Sequence, residues 1–253
     1  MASQGRVFSD VDIMVPKTYI DQVEAALMLH GWVATQHDAY DQRYYRTWMH
    51  EIPPLMHIKR LSVIDVHHAI LPETARLRPD PALLLAAAQP IADEPGVYTL
   101  APVDMVLHSV SHLFCGEFEH GLRDLSDIDL LLREFATVAG FWDGLAPRAQ
   151  SLDLARPLYY ALHWATQLFA TPVPPLVLRE IGACARPSTS VKTLMNALLQ
   201  RTLAPDHVSC RDALSVPARG LLYARAHWLR MPAHLLAYHL AHKALFPPRA
   251  ATN

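Results

Sequence analysis

The chain has 253 residues, of which 51% are hydrophobic and 18% charged, so it is long enough to bury one large core or two modest ones. A formal net charge of -2, without any lysine- or arginine-rich tract, gives no strong electrostatic signal for nucleic-acid binding. Three widely spaced cysteines, an acidic N-terminal segment and the lack of an apolar run of about 18 residues predict a cytoplasmic protein with no membrane partner.

The N-terminal part has the pattern of a small α/β unit. A β-branched apolar run over residues 11–15 predicts a strand, and Pro16 ends it. Helical spacing of apolar residues after Thr18, with Gly31 as the C-cap, predicts a helix. Two further strands are predicted around the turn-prone segment IPPL. The first is the aromatic and arginine-rich YDQRYYRTWMHE, and the second is MHIKRLSVIDVHHAIL, which ends near Ile70.

The rest of the chain has a different character. From Pro72 to Pro102 proline is frequent and the pattern irregular, which predicts a linking region with one short helix. Six later segments have helical periodicity and are divided by proline or glycine. We therefore predict an α+β fold, in which a small α/β core over residues 1–102 is followed by an all-helical region over residues 103–253.

Three aspartates are the candidate functional residues of the first part. Asp10 and Asp12 stand at the start of the first predicted strand, where residues i and i+2 project from the same face. Asp65 lies in a second β-branched run, and if the two strands are neighbours the three carboxylates converge. Oxygen ligands of this kind suit Mg²⁺ or Mn²⁺. The alternative is a structural one, a capping or turn pair of aspartates together with an unrelated third.

Four motifs in order resemble the uncharacterised nucleotidyltransferase family of the polymerase beta-like nucleotidyltransferase superfamily. They are RVFSDVDIMVP, IDVHHAIL, VDMVLHSVSHLF and LRDLSDIDLLL, and the resemblance spans about Arg6 to Phe135. It implies a mixed sheet with flanking helices and metal-dependent transfer of a nucleotidyl group from a nucleoside triphosphate (NTP) to an acceptor that the sequence does not reveal.

The resemblance also implies roles for individual residues. Asp10 and Asp12 would bind the metal, and Asp65 would be a third ligand or the base that accepts the proton of the acceptor. Ser9 would support the start of the first strand, and Arg6 would face phosphate.

The sequence positions of two further residues predict contacts at the candidate site. His67 follows Asp65 by two residues and shares its face of the strand, where it would orient Asp65 or contact a phosphate. Arg43, in the aromatic segment, would bind phosphate, or else its side chain is solvated on an amphipathic strand. The sequence does not indicate an oligomeric state.

One departure from the superfamily pattern concerns the residues before Ser9. Members of the superfamily carry a helix with a Gly-Ser or Lys-Gly element before the D-x-D strand, and only MASQGRVF stands there in this sequence. The expectation is either that the reading frame begins further upstream or that triphosphate binding is weak. The second case defines the alternative function, a binding or scaffold protein that retains the fold without efficient catalysis.

Two other constellations are predicted to be structural. A second SDID segment lies in a helical pattern, where Asp127 and Asp129 diverge by about 200° and cannot share a metal as strand neighbours do. His108 and His112 have the i, i+4 spacing of a helical metal pair, but no third ligand is evident in the sequence. We interpret them as a packed histidine pair.

Overall fold

The computed structural model describes residues 10–35 and 38–245. Its strands are β1 (Asp10–Met14), β2 (Trp32–Ala34), β3 (Leu55–His57), β4 (Val63–His67), β5 (Gln89–Pro90) and β6 (Tyr98–Thr99). Its α-helices are α1 (Ile20–Leu29), α2 (Ala39–Trp48), α3 (Pro81–Ala87), α4 (Pro102–Cys115), α5 (Gly121–Phe135), α6 (Phe141–Ser151), α7 (Ala155–Phe169), α8 (Pro175–Ala185), α9 (Thr189–Thr202), α10 (Ser215–Arg230) and α11 (Ala233–Leu245). The predicted α+β class, with its helical C-terminal region, is confirmed.

The four strands β1 to β4 form one mixed sheet in the order β1-β4-β3-β2. β1 pairs with β4 in parallel, and the remaining pairs are antiparallel. β5 and β6 form a separate two-stranded hairpin in the linking region, beside the short helix α3. The parallel pairing of β1 with β4 determines the position of the candidate site, because it brings together two strands that are far apart in sequence.

The two faces of the sheet pack against different parts of the protein. One face packs apolar side chains together with α1, in a cluster that includes Ile13, Ile20, Ile64 and Val66. The strand alternation puts Asp10, Asp12 and Met14 on the other face. Met14 packs against the large core of the helical region. The aspartate face of the sheet therefore looks toward the helices.

The prediction of a strand for YDQRYYRTWMHE is wrong, since this segment forms α2. The carboxylate of Asp38 caps the helix by accepting a hydrogen bond from Tyr40 N at 2.9 Å. Side chains at i, i+4 and i+8 then form one aromatic face, which packs on α11. The rings in contact are those of Tyr40, Tyr44, Trp48, Tyr238, His239 and His242. This packing across almost the whole length of the chain overrides the β propensity of the aromatic residues.

The second predicted strand is present but divided in two. β3 and β4 form an antiparallel pair joined by a tight turn, in which Leu61 has a positive φ of 58°. Leu61 N donates to His57 O, and His57 N donates to Ser62 O, both at 2.9 Å. The chain thus reverses inside a run that the sequence pattern presents as continuous.

The helices from α4 to α10 share a single apolar core, which includes Phe114, Ile128 and Tyr160. A buried ion pair ties this core to the linking region. Asp104 of α4 is 1% exposed and accepts two hydrogen bonds of 2.7 Å from Arg148 of α6, and Arg148 also donates to Leu83 O of α3. Among the described residues, no helix has the length and apolar character needed to cross a bilayer.

The helix α10 returns to the linking region. Arg76 N donates to Leu229 O at 2.8 Å, and the Arg76 guanidinium stacks on the ring of Trp228 at 3.8 Å. Arg225 donates to Phe114 O at 2.7 Å, at the end of α4. These contacts hold the C-terminal helices against the region between the sheet and α4.

Candidate active site

The register of the parallel pair places two carboxylates side by side. Asp12 of β1 is paired with Asp65 of β4, so the two residues lie on neighbouring strands about 4.8 Å apart and project from the same face. Asp10 precedes Asp12 by two residues and shares this face. The predicted proximity of Asp65 to the other two aspartates is therefore what the fold produces.

His67 links the strands on the same face. Its Nε2 lies 3.0 Å from Oδ1 of Asp12, and because an ionised carboxylate only accepts, Nε2 is the donor. The hydrogen bond occupies one oxygen of Asp12, whose side chain is 62% exposed. The position of His67 agrees with the predicted face, but its partner is Asp12, whereas the sequence had indicated Asp65.

A short extended segment extends the polar face beyond β4. Glu51 and His67 form an antiparallel backbone bridge, flanked by hydrogen bonds from Ile52 N to Val66 O and from His68 N to His50 O. Directly opposed residues of an antiparallel pair project from the same face. Glu51 Oε2 accordingly lies 3.2 Å from Nδ1 of His67. The polar row thus runs from β1 across β4 to Glu51.

The charges of this row are not balanced. Burial, and after it the neighbouring charges of Asp12 and Asp10, raise the pKa of Asp65 above its usual value. The hydrogen bond from His67 lowers the pKa of Asp12, although partial burial opposes this. Oδ1 of Asp65 is buried and has no hydrogen-bond partner within the described part of the chain. A carboxylate oxygen left without a donor beside two other carboxylates is an environment that a divalent cation satisfies.

These residues fit the metal that the resemblance implies. Mg²⁺ is usually held by one or two carboxylates, with phosphate oxygens and waters completing its shell. Asp10, Asp12 and Asp65 offer carboxylate oxygens on one face, and the exposed Asp12 leaves that face open for a substrate.

The helix α4 carries a histidine pair toward the same region. Both rings lie near the Asp12 carboxylate, so that a positive charge on either His108 or His112 would lower the pKa of Asp12. Burial, followed by the proximity of His112, lowers the pKa of His108 to about 4, so that it is a neutral imidazole at physiological pH. The helix α4, on which the two histidines have i, i+4 spacing, thus passes near the carboxylate of Asp12.

The second SDID segment lies on α5, and Asp129 has a structural environment. It is buried, and its Oδ1 accepts hydrogen bonds from Arg133 Nε at 2.8 Å and from Thr171 Oγ1 at 2.6 Å. Arg133 also donates to Phe169 O, which ties the helix to the end of α7. Asp129 thus has the partners of a buried structural carboxylate, as the helical spacing predicts.

The remaining predicted residues are Arg6, Ser9 and Arg43. Arg6 and Ser9 lie outside the described residues. Arg43 is exposed on α2, two residues before Tyr45, whose pKa is affected by the charges of Glu51 and Asp65. Because two helical steps are about 200°, Arg43 projects from nearly the opposite side of α2 to Tyr45. Its predicted contact with phosphate remains a prediction.

The sequence analysis missed two residues of the polar row, His50 and Glu51. Burial lowers the pKa of His50 to about 3, and the charge of His67 adds to this effect. Burial, the leading influence, raises the pKa of Glu51. The signal was a His-Glu dipeptide directly before the segment IPPL, but its proximity to His67 depends on a pairing that no local pattern shows.

A mixed sheet with paired carboxylates on neighbouring parallel strands, flanked by helices, is the arrangement that the resemblance to the nucleotidyltransferase family implies. The comparison with protein families agrees. The model described as "Uncharacterised nucleotidyltransferase" matches residues 2–170, and the chain belongs to this family. Neither the comparison with curated proteins nor that with solved structures gave a significant match.

Proposed function

We propose that the chain is a magnesium-dependent nucleotidyltransferase, which transfers a nucleotidyl group from an NTP to a hydroxyl group of an acceptor. Membership of the family supports nucleotidyl transfer in general. The observation that carries the finer proposal is the Asp12–Asp65 register, which aligns three carboxylates on one face of the sheet.

The three carboxylates would have different roles, which follow from their environments. Asp10 and Asp12, at the exposed edge of the row, would hold the metal together with the triphosphate oxygens. When bound, Mg²⁺ would supply Lewis-acid neutralisation of the triphosphate charge. Asp65 is the least solvated of the three and has the raised pKa. A carboxylate of raised pKa is the better proton acceptor, so Oδ1 of Asp65 is suited to receive the proton of the attacking hydroxyl.

The histidines position these groups. His67 orients Asp12 through the Nε2 hydrogen bond, so that the other oxygen of the carboxylate remains available. The neutral ring of His108 borders the carboxylates from the side of α4 and adds no positive charge that would compete with a metal. The Asp12 carboxylate is thus held in place by the sheet and by its hydrogen bond to His67.

The test is release of pyrophosphate from each of the four common NTPs in the presence of Mg²⁺, with protein, RNA and small-molecule hydroxyls offered as acceptors. The wild type should release pyrophosphate with at least one combination. Asp65→Asn should lower the rate by about 10²- to 10⁴-fold, the usual contribution of a general base. Asp127→Asn, in the second SDID segment, is the matched control and should retain the rate.

Two results would contradict the proposal. The first is turnover that Asp65→Asn leaves unchanged, since the row would then not carry the chemistry. The second is Mg²⁺-dependent NTP binding without release of pyrophosphate under any combination, which would favour the alternative of a binding or scaffold protein.

A further inference from the structure

His50, Glu51 and His67 converge on one point that the nucleotidyl-transfer proposal does not use. One ring nitrogen of each histidine and a carboxylate oxygen of Glu51 all lie within 4.8 Å of one another. Two of the three side chains are imidazoles, whose nitrogens are ligands that borderline transition metals prefer, and the third is a carboxylate. This donor set differs from the all-carboxylate set formed by Asp10, Asp12 and Asp65.

The hydrogen bonding of the two histidines is incomplete, which indicates a ligand. Nδ1 of His50 and Nδ1 of His67 are both buried, and neither has a hydrogen-bond partner among residues 10–35 and 38–245. Nδ1 of His67 is only 3.2 Å from Glu51 Oε2, but the two groups are not aligned for a hydrogen bond. Buried polar atoms are almost always satisfied, so an unpartnered nitrogen on each of the two histidines requires an explanation.

The tautomer of His67 also favours a bound metal ion. Because Nε2 donates its hydrogen to Asp12, a neutral His67 ring carries its lone pair on Nδ1, which faces Glu51. Histidines that bind metals commonly donate their other N–H to a carboxylate, which fixes the ring and increases its basicity. Asp12 is in the position to have this role.

The spacing of the donor atoms also agrees with a metal site. Zinc binds histidine nitrogen at about 2.0–2.1 Å and carboxylate oxygen at about 2.0–2.2 Å, so two ligand atoms of a tetrahedral site are roughly 3.3 Å apart. The distance of 3.2 Å between His67 and Glu51 agrees with that value. A single proton on His67 would join only two groups, whereas three donor side chains converge here.

We propose that His50, Glu51 and His67 form a binding site for a transition-metal ion of the Zn²⁺ type, separate from the magnesium site and joined to it through the His67–Asp12 hydrogen bond. The two histidines and one carboxylate fill three coordination positions and leave a fourth position for water or substrate. The inference goes beyond the proposed function, since it concerns binding of a metal and holds whether or not the chain transfers nucleotides.

The experiment is titration of the full chain, stripped of metal by a chelator, with Zn²⁺ in a calorimeter in the presence of excess Mg²⁺. The wild type should bind one Zn²⁺ per chain at this site. His50→Gln and Glu51→Gln, which keep the size of the side chain, should each weaken binding by more than about a hundredfold, since loss of a ligand costs at least as much as loss of its supporting partner. His163→Gln, on α7 and away from the cluster, should bind Zn²⁺ as the wild type does.

A second measurement uses the wild type alone, so that it does not depend on how the variants fold. X-ray absorption of the Zn²⁺-loaded protein should show two imidazole ligands. Failure of the wild type to bind Zn²⁺ in excess Mg²⁺, equal binding by His50→Gln and Glu51→Gln, or a spectrum without imidazole ligands would overturn the site. Loss of nucleotidyl transfer alone would leave it standing.

Discussion

Asp12 and Asp65 are directly paired across the parallel strands β1 and β4, with Asp10 on the same face. Carboxylates on directly paired residues repel each other when both are ionised, and this repulsion contributes to the raised pKa of Asp65. His67 balances part of the charge through its hydrogen bond to Asp12. The structure thus contains a carboxylate row that a bound cation would stabilise, and several measurable consequences follow from it.

Thermal unfolding should depend on the metal. Mn²⁺, used as a surrogate for Mg²⁺, should raise the melting temperature of the wild type, because a ligand at a hundred times its Kd stabilises the folded state by about 2.7 kcal/mol. Asp10→Asn and Asp12→Asn, which remove the two proposed metal ligands, should lose most of this increase. An increase of the same size in these two variants would place the Mn²⁺ elsewhere.

Asp129 should matter for stability and not for metal binding. Asp129→Asn weakens the hydrogen bonds from Arg133 and Thr171, and we expect a cost of about 1–3 kcal/mol in the free energy of unfolding. Denaturant unfolding measures this cost. The increase in melting temperature on addition of Mn²⁺ should be retained, and its loss in this variant would make α5 part of the metal site.

The Asp104–Arg148 pair should show strong coupling. Arg148→Met alone leaves the buried Asp104 carboxylate without its guanidinium partner, and we expect a loss of about 3–5 kcal/mol of stability. Replacing both residues, as in Asp104→Leu with Arg148→Met, should cost clearly less than the sum of the two single variants. A double-mutant cycle by urea unfolding gives the coupling energy, and additive costs would show that the pair does not act as a unit.

His108 should make stability depend on pH. Its pKa is about 4 in the folded chain, below the ordinary value of 6.5, so between these values the unfolded chain binds a proton that the folded chain does not. Stability should therefore be complete above about pH 6.5 and fall as the pH drops toward 4, with a slope approaching about 1.4 kcal/mol per pH unit for this proton. Urea unfolding of metal-free protein at a series of pH values measures the slope.

His108→Gln is the matching variant, because glutamine does not titrate. The slope between pH 6.5 and 4 should decrease by the contribution of one proton, while His50, whose pKa is about 3, continues to contribute. An unchanged slope would mean that His108 is not held neutral in the folded protein.

The sequence alone predicted the parts of the site that depend on strand alternation. The i, i+2 spacing of Asp10 and Asp12, and of Asp65 and His67, determines the face to which each projects, whatever the rest of the fold. The motif order then indicated the pairing of the two strands. The helical assignment of the second SDID segment followed in the same way from the leucines of α5.

The misassigned and missed parts depend on distant contacts. Tyr40, Tyr44 and Trp48 favour a strand by propensity, and only α11, almost 200 residues further on, gives them a helical packing surface. The same applies to His50 and Glu51, which reach His67 through backbone pairing at the end of β4. Local patterns carry no information about such partners.

Anomalous diffraction from crystals containing Mn²⁺ and a non-hydrolysable NTP analogue tests the central claim most directly. We expect an anomalous peak within about 2.0–2.6 Å of carboxylate oxygens of Asp10 and Asp12, with phosphate oxygens of the analogue completing the coordination. Analogue bound with no peak at these carboxylates, or with its only peak beside α5, would contradict the proposal that the β1–β4 face is the catalytic metal site.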